Sequence, residues 1–107
     1  MPPLEPRDHS VSLTEAAAHT RRHRQATGKA READHAGAFH ADQVMALLKQ
    51  KGCTALRIYH GRTEQGRRSL VLVGVDGQGN DMTAGTLLEV CFPCPPFCGD
   101  GNALNTG

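Results

Sequence analysis

The chain has 107 residues, of which 38% are hydrophobic, and a formal net charge of +1 with the histidines neutral. This length gives room for one domain with a single modest core, and it excludes a second domain of ordinary size. The 12 Lys and Arg residues are spread along the sequence, so the overall charge weighs against nucleic acid or an anionic membrane surface as a partner.

The first residues carry no recognisable targeting signal. Residues 1–10 contain three prolines and no periodic pattern, which predicts a flexible segment, and they lack the apolar core of a signal peptide. No stretch of the sequence approaches the roughly 20 apolar residues that cross a membrane. We therefore expect a cytoplasmic protein without a membrane span.

A first helix is predicted over residues 13–26. Ser12 and Glu15 have the spacing of a capping box, in which the two residues satisfy backbone groups at the start of a helix. Gly28 offers a left-handed stop. The apolar stripe of this helix is shallow, so the helix is expected at the periphery of the domain.

A second helix is predicted over residues 39–51. Its apolar residues Phe39, Val44 and Leu47 recur at helical spacing, so this helix is expected to cover the sheet. Residues 29–38, between the two helices, show no clear pattern and allow either a short helical turn or a loop.

Strand chemistry is concentrated in residues 54–75, which predict a β-hairpin. The first arm alternates apolar and polar residues, the second is almost continuously apolar, and Gly61 is expected to pair with Gly66 across the turn. A third strand is predicted over residues 86–92. The expected fold is a single α+β domain over residues 11–92, with two helices packed on one face of a three-stranded antiparallel β-meander.

The remaining residues, 93–107, are rich in proline and glycine. The prolines have no N–H groups to give to a sheet ladder. We therefore expect a mobile C-terminal tail, so that both termini are flexible.

Three cysteines, Cys91, Cys94 and Cys98, form a C-x2-C-x3-C array. Thiolates this close in sequence are compatible with zinc or an iron–sulfur cluster. Against a metal, the intervening prolines offer no N–H groups to support the sulfur charges, and an extended Pro-Pro step would hold Cys94 and Cys98 on the order of 10 Å apart. The alternative is unligated thiols, because disulfides are rare in a reducing compartment.

Two other patterns are compatible with metal binding. His19 and His23 have the spacing of a zinc-binding helix motif but lack its glutamate, and with the surrounding arginines they are typical of a solvated helix face. Asp76, Asn80 and Asp81 supply oxygen atoms, but their spacing is that of a polar turn rather than a calcium-binding loop. No G-x-S-x-G motif, phosphate-binding loop or pair of carboxylates in a plausible cleft is visible.

Four stretches of the sequence form a shared pattern: Leu56-Arg-Ile-Tyr-His-Gly-Arg62, Leu70-Val-Leu-Val-Gly-Val-Asp76, Gly79-Asn-Asp81 and Cys94-Pro-Pro-Phe-Cys98. Over roughly residues 39–99 the chain resembles a set of small bacterial proteins with this pattern. No activity, cofactor or catalytic residue is established for that group, so the resemblance implies no site residues.

The expected pairing of Gly61 with Gly66 predicts which side chains share a face of the sheet. One face becomes the core, and the other carries an apolar patch with a charged border, which is typical of an association surface. The predicted members of this patch are Arg57, Tyr59, Arg68, Leu70, Leu72 and Leu87. We therefore expect a non-enzymatic binding or assembly module that contacts a second copy of the chain or another protein. The alternative is a metal-binding or thiol-dependent protein that uses the cysteine cluster.

Overall fold

A computed structural model describes residues 2–27 and 35–106. Within these ranges the chain forms two helices and two antiparallel sheets, which confirms the predicted α+β class. The helices are α1 (Leu13–Thr27) and α2 (Ala41–Leu48). The strands are β1 (Ala36–Ala38), β2 (Ala55–Arg62), β3 (Arg68–Val75), β4 (Leu87–Leu88) and β5 (Phe92–Cys94). Neither of these two helices has the length and apolar character needed to cross a membrane.

Three strands form one sheet in the order β2-β3-β4, and each pairs antiparallel with the next along the chain. The prediction of a single three-stranded sheet is nevertheless wrong, because β1 and β5 form a second sheet in which Gly37 lies opposite Pro93. The predicted third strand is reduced to two residues in β4. Pro93 has no N–H to donate, and it is tolerated in a two-stranded sheet, where each strand has one unpaired edge.

The turn that joins β2 to β3 lies later in the sequence than predicted. The N–H of Thr63 donates to the carbonyl oxygen of Arg67 (2.8 Å), and Gly66 has a φ of 84°, which favours glycine. Gly61 consequently lies opposite Ser69 rather than Gly66. The partner of Gly61 is thus three residues later in β3 than predicted. Because successive side chains of a strand alternate between faces, a shift by an odd number of residues exchanges the two faces of β2 relative to β3. The predicted register is therefore wrong.

The core lies around β3. Val73 and Val75 are buried on one face of this strand and Leu72 on the other, so the strand is covered on both sides. Leu47 of α2 is fully buried. An added Cβ at Gly74 would lie 3.0 Å from the sulfur of Cys53, so a larger residue at this position would have to displace neighbouring side chains.

Gln50 connects the end of α2 to the chain before β4. Its side-chain nitrogen donates to the carbonyl oxygen of Leu47 (2.8 Å), and its side-chain oxygen accepts from the N–H of Thr86 (2.8 Å). The helix itself ends earlier than the predicted range of 39–51, since Lys49 is its C-cap. The last residues of that range form the turn that leads into β2.

The predicted capping box starts α1. The backbone N–H of Glu15 donates to the hydroxyl of Ser12 (3.1 Å), and this hydroxyl donates to the Glu15 carboxylate (3.2 Å). Gly28, the predicted stop, lies outside the described residues, as do residues 29–34.

The predicted C-terminal tail makes specific contacts with α1. The guanidinium group of Arg24 donates to the carbonyl oxygens of Leu104 (2.6 Å) and Thr106 (2.7 Å). The segment before them is a turn in which Asn102 accepts a bond from the backbone N–H of Leu104 (2.7 Å). These contacts place the last described residues beside the helix.

Candidate functional site

The observed register divides the six residues of the predicted patch between the two faces of the sheet. Residues directly opposite in antiparallel strands share a face, and Val73 lies opposite both Arg57 and Leu87. Arg57, Tyr59 and Leu87 therefore share one face, whereas Arg68, Leu70 and Leu72 share the other. Leu72 is only 4% exposed. The six residues do not form one exposed patch.

Arg57 and Tyr59 instead meet Asp81, which follows the turn after β3. One Arg57 nitrogen lies 2.6 Å from an Asp81 oxygen, and the Tyr59 hydroxyl donates to the other oxygen. The Asp81 carboxylate, which belongs to the predicted polar turn, is therefore engaged by two side chains. Asp76, the first residue of that polar turn, accepts from the backbone N–H groups of Gln78 (2.9 Å) and Asn80 (3.0 Å).

The three side chains shift one another's ionisation. The hydrogen bond from Tyr59 and the contact with Arg57 lower the pKa of Asp81 below its ordinary value of 3.8. The hydrogen bond to the carboxylate raises the pKa of Tyr59 above 10.0, and the same carboxylate raises the pKa of Arg57. The trio is thus fixed by hydrogen bonds that favour a charged Asp81 and a protonated Tyr59.

The outer edge of the three-stranded sheet is formed by β2, which is eight residues long. Thr63 bonds to β3, and in an antiparallel pair every second residue does so. The backbone groups of Leu56, Ile58 and His60 therefore point away from β3. Among the residues that the structure describes, none pairs with this outer edge. Ile58 and Tyr59 are about half exposed there, at 50% and 47%.

A cleft of about 1200 Å³ lies between α1, the β1–β5 sheet, the turn end of the hairpin and residues 97–106. Its described lining contains arginine and histidine side chains but neither Asp nor Glu. The basic members are His19, His23, Arg24, His35, His60, Arg62 and Arg68. Apolar side chains, among them Leu70 and Phe97, form other parts of the wall.

The histidine pair on α1 faces this cleft. A nitrogen of the His19 ring is 3.2 Å from Arg22, and one of the His23 ring is 3.3 Å from Arg68. The His23 ring also contacts the ring of His35 edge-on, with centroids 5.5 Å apart. His19 is exposed, as a solvated helix face predicts, whereas His23 is half-buried. Lys29 and Arg31, the basic residues that follow α1 in the sequence, lie outside the described residues.

Cys94 and Cys98 form a disulfide, with their Cα atoms 4.8 Å apart. The predicted extended separation of these residues is wrong, because the chain turns back and the N–H of Phe97 donates to the carbonyl oxygen of Pro93 (2.8 Å). A disulfide sulfur is not a thiolate ligand. The prediction of unligated thiols is therefore wrong for this pair.

The proposed zinc or iron–sulfur set of Cys91, Cys94 and Cys98 is not assembled, since only Cys91 keeps its thiol. Across residues 2–27 and 35–106, no group of three His, Cys, Asp or Glu side chains is placed to hold a metal ion. The other free thiol, Cys53, donates to the carbonyl oxygen of Ala55 (3.3 Å).

The disulfide also bears on the expected compartment. Disulfides persist mainly in oxidising environments, whereas the expectation of free thiols was drawn from the predicted cytoplasmic location. The compartment itself stays a prediction.

Comparison with protein-family models, curated proteins and solved structures gives no significant match to this chain. The resemblance to small bacterial proteins therefore stays a prediction. The open β2 edge and the basic cleft follow from the register and from tertiary packing. A sequence signal that could have indicated the edge is the presence of Arg57, His60 and Arg62 in β2, because charged and polar side chains are typical of edge strands.

Proposed function

We propose that the protein is a small, non-enzymatic assembly module in which the β2 strands of two copies pair antiparallel. The observation that carries this proposal is the outer edge of β2, whose outward backbone groups form no hydrogen bond to another described residue. Unpaired edges readily accept another strand. Pairing two copies in this way extends each three-stranded sheet into one continuous sheet of six strands.

The strand supports a symmetric register centred on Ile58. Two copies related by a two-fold axis would place Ile58 opposite its own equivalent and Leu56 opposite His60. These are the residues whose backbone groups point outward, so donors meet acceptors on both strands. The half-exposed Ile58 side chains would cover each other on one face of the joined sheet.

On the other face of the joined sheet, the same register places Arg57 of one copy opposite Tyr59 of the other. An arginine against a tyrosine ring contributes about 0.5–1 kcal/mol at an exposed site, and the symmetry makes two such pairs. Each Arg57 is already held by Asp81 (2.6 Å), so it enters the contact in a fixed orientation. No two like charges lie directly opposite in this register.

The register can be tested by cross-linking an Ile58→Cys variant under mild oxidation. The two introduced thiols would lie on residues directly opposite each other, about 5.5 Å apart at Cα, which is within the range of a disulfide. We expect a covalent dimer on non-reducing gels. Wild type, with the same free Cys53 and Cys91, is the control for adventitious cross-links, and His60→Cys is the register control because His60 lies opposite Leu56.

A second experiment tests the backbone contact itself. Ile58→Pro removes an outward N–H and leaves the bonds between β2 and β3 in place, since proline is tolerated at a sheet edge. We expect a dimer for wild type by light scattering, a monomer for Ile58→Pro with unchanged circular dichroism, and a dimer for the control Ile58→Val. A wild-type protein that stays monomeric at high concentration would contradict the proposal.

A further inference from the structure

We propose that the turn end of the hairpin binds the anionic group of a small organic ligand, a carboxylate or a phosphate, through Arg62 and Arg68. These two residues lie directly opposite each other in the β2–β3 ladder, so both side chains are on one face and both line the cleft. Like charges directly opposite destabilise a strand pair. An anion between the two guanidinium groups removes that repulsion.

The contacts of both arginines are with groups other than carboxylates. Arg62 donates to the carbonyl oxygen of Gly66 (2.9 Å), and Arg68 lies 3.3 Å from a ring nitrogen of His23. Within the described part of the chain, neither forms an ion pair with a carboxylate. Each guanidinium has five N–H donors, so each keeps donors for the paired bonds that arginine makes to carboxylate or phosphate.

Two acidic side chains lie near this pair, and neither lines the large cleft. Glu64 lies in the turn between the two arginines, and Glu89 shares a small cavity of about 140 Å³ with Arg68. Both side chains are exposed. The charge facing the cleft from the hairpin is therefore positive.

The rest of the cleft favours a ligand with an apolar body. Leu70, Pro93 and Phe97 line it, and its volume of about 1200 Å³ exceeds that of a single oxyanion many times over. Small-molecule sites typically measure ~300–1,000 Å³ and combine apolar walls with a few polar groups that fix orientation. The ligand class is thus an amphipathic organic anion rather than a free inorganic ion.

Calorimetric titration with four probes tests this assignment: phenyl phosphate, octanoate, inorganic phosphate and the uncharged octanol. We expect saturable binding of an organic anion, binding at least about tenfold weaker for inorganic phosphate, and none for octanol. The preference between phenyl phosphate and octanoate identifies the anionic group. Failure of both organic anions to bind would overturn the proposal, and so would equal binding of inorganic phosphate.

Paired variants locate the site. The double variant Arg62→Gln, Arg68→Gln should bind the organic anion about tenfold or more weakly than wild type, because charge-assisted hydrogen bonds are lost. Arg7→Gln with Arg21→Gln is the matched control, because these exposed arginines do not line the cleft. Unchanged binding in the first pair, or an equal loss in the control pair, would place the anion elsewhere and refute the site.

Discussion

The hydroxyl of Tyr59 donates a hydrogen bond to Asp81, which lies 22 positions further along the chain. Tyr59 is on the edge strand β2, whereas Asp81 follows the turn after β3 and forms a bridge with Val75. The bond therefore fastens the edge strand to a segment on the far side of the central strand. Because the chain contains one tyrosine, this bond can be followed spectroscopically without interference from another tyrosine.

We predict that Tyr59 ionises above pH 10.0, because its hydroxyl donates to a carboxylate that disfavours the tyrosinate. In Asp81→Asn the negative charge is gone, and the midpoint should fall toward 10.0. The ultraviolet absorbance of tyrosinate, followed during a pH titration of the folded protein, measures both midpoints. Asp42→Asn, an exposed carboxylate in the first turn of α2, is the control and should leave the midpoint unchanged. Equal midpoints in wild type and Asp81→Asn would show that the bond is absent in solution.

The same contact predicts a pH window for stability. The folded pKa of Asp81 is below 3.8, so its contribution is present above that pH and is lost as pH falls through the lower folded value. The folded pKa of Tyr59 is above 10.0, so its contribution is present below that pH and is lost as pH rises through the higher folded value. The free energies of unfolding of wild type and Asp81→Asn, measured with urea, should differ most between these two pH limits. A difference that is constant across the whole range would contradict this account.

The disulfide predicts the number of reactive thiols. Denatured protein without reductant should show two, from Cys53 and Cys91, and reduced protein should show four. Because the loop between Cys94 and Cys98 is short, we expect Cys94→Ser with Cys98→Ser to lower the free energy of unfolding by no more than roughly 2 kcal/mol. Under reducing conditions this variant and wild type should be about equally stable. Four reactive thiols before reduction would exclude the disulfide.

Gly37 is predicted to be sensitive to a single added methyl group. A Cβ at this position would lie 2.8 Å from the sulfur of Cys91 and 3.2 Å from a methyl carbon of Leu70. Gly37→Ala should therefore lower the free energy of unfolding by about 1–3 kcal/mol. Cys91→Ala in the same chain removes the sulfur and should restore part of that loss. Gly77→Ala, where a Cβ meets no atom within 4 Å, is the matched control and should be nearly neutral.

Two leucines of the predicted patch should respond oppositely to the same substitution. Leu72 is 4% exposed and Leu87 is 54% exposed. Leu72→Arg buries an unpaired charge and should unfold most of the domain, because total stability is only about 5–15 kcal/mol. Leu87→Arg should keep the far-ultraviolet circular dichroism and melting temperature close to wild type. A folded Leu72→Arg protein would contradict this prediction and show that the face of β3 that carries Leu72 is exposed to solvent.

The features that were predictable from the sequence are those that depend on neighbouring residues. The Ser12–Glu15 box starts α1 because its partners are three positions apart, and the β2–β3 hairpin forms where β-branched residues and leucine are concentrated. Register was not predictable in this way. Residues 70–75 are apolar on both faces, so alternation cannot decide which β2 residues face the same way as Val73.

The parts of the candidate site that were missed depend on distant residues. Ala36, Gly37 and Ala38 have small side chains without strand character, and they form β1 because β5 lies opposite them. The cysteine pairing was missed because a Pro-Pro step by itself favours an extended chain, whereas here the segment turns back on Pro93. The Arg62–Arg68 pair could be recognised only once the turn was placed at residues 63–67.

The bonds from Arg24 to Leu104 and Thr106 span 80 and 82 positions, and they have a consequence for biosynthesis. A chain emerging from the ribosome presents α1 first, yet the partners of Arg24 are translated about 80 residues later. In the same way, β1 cannot pair until β5 has been translated. The hairpin can form during translation from neighbouring residues, but the cleft is closed only after residues 104–106 have left the exit tunnel. Until then α1 lacks these two bonds to residues 104–106.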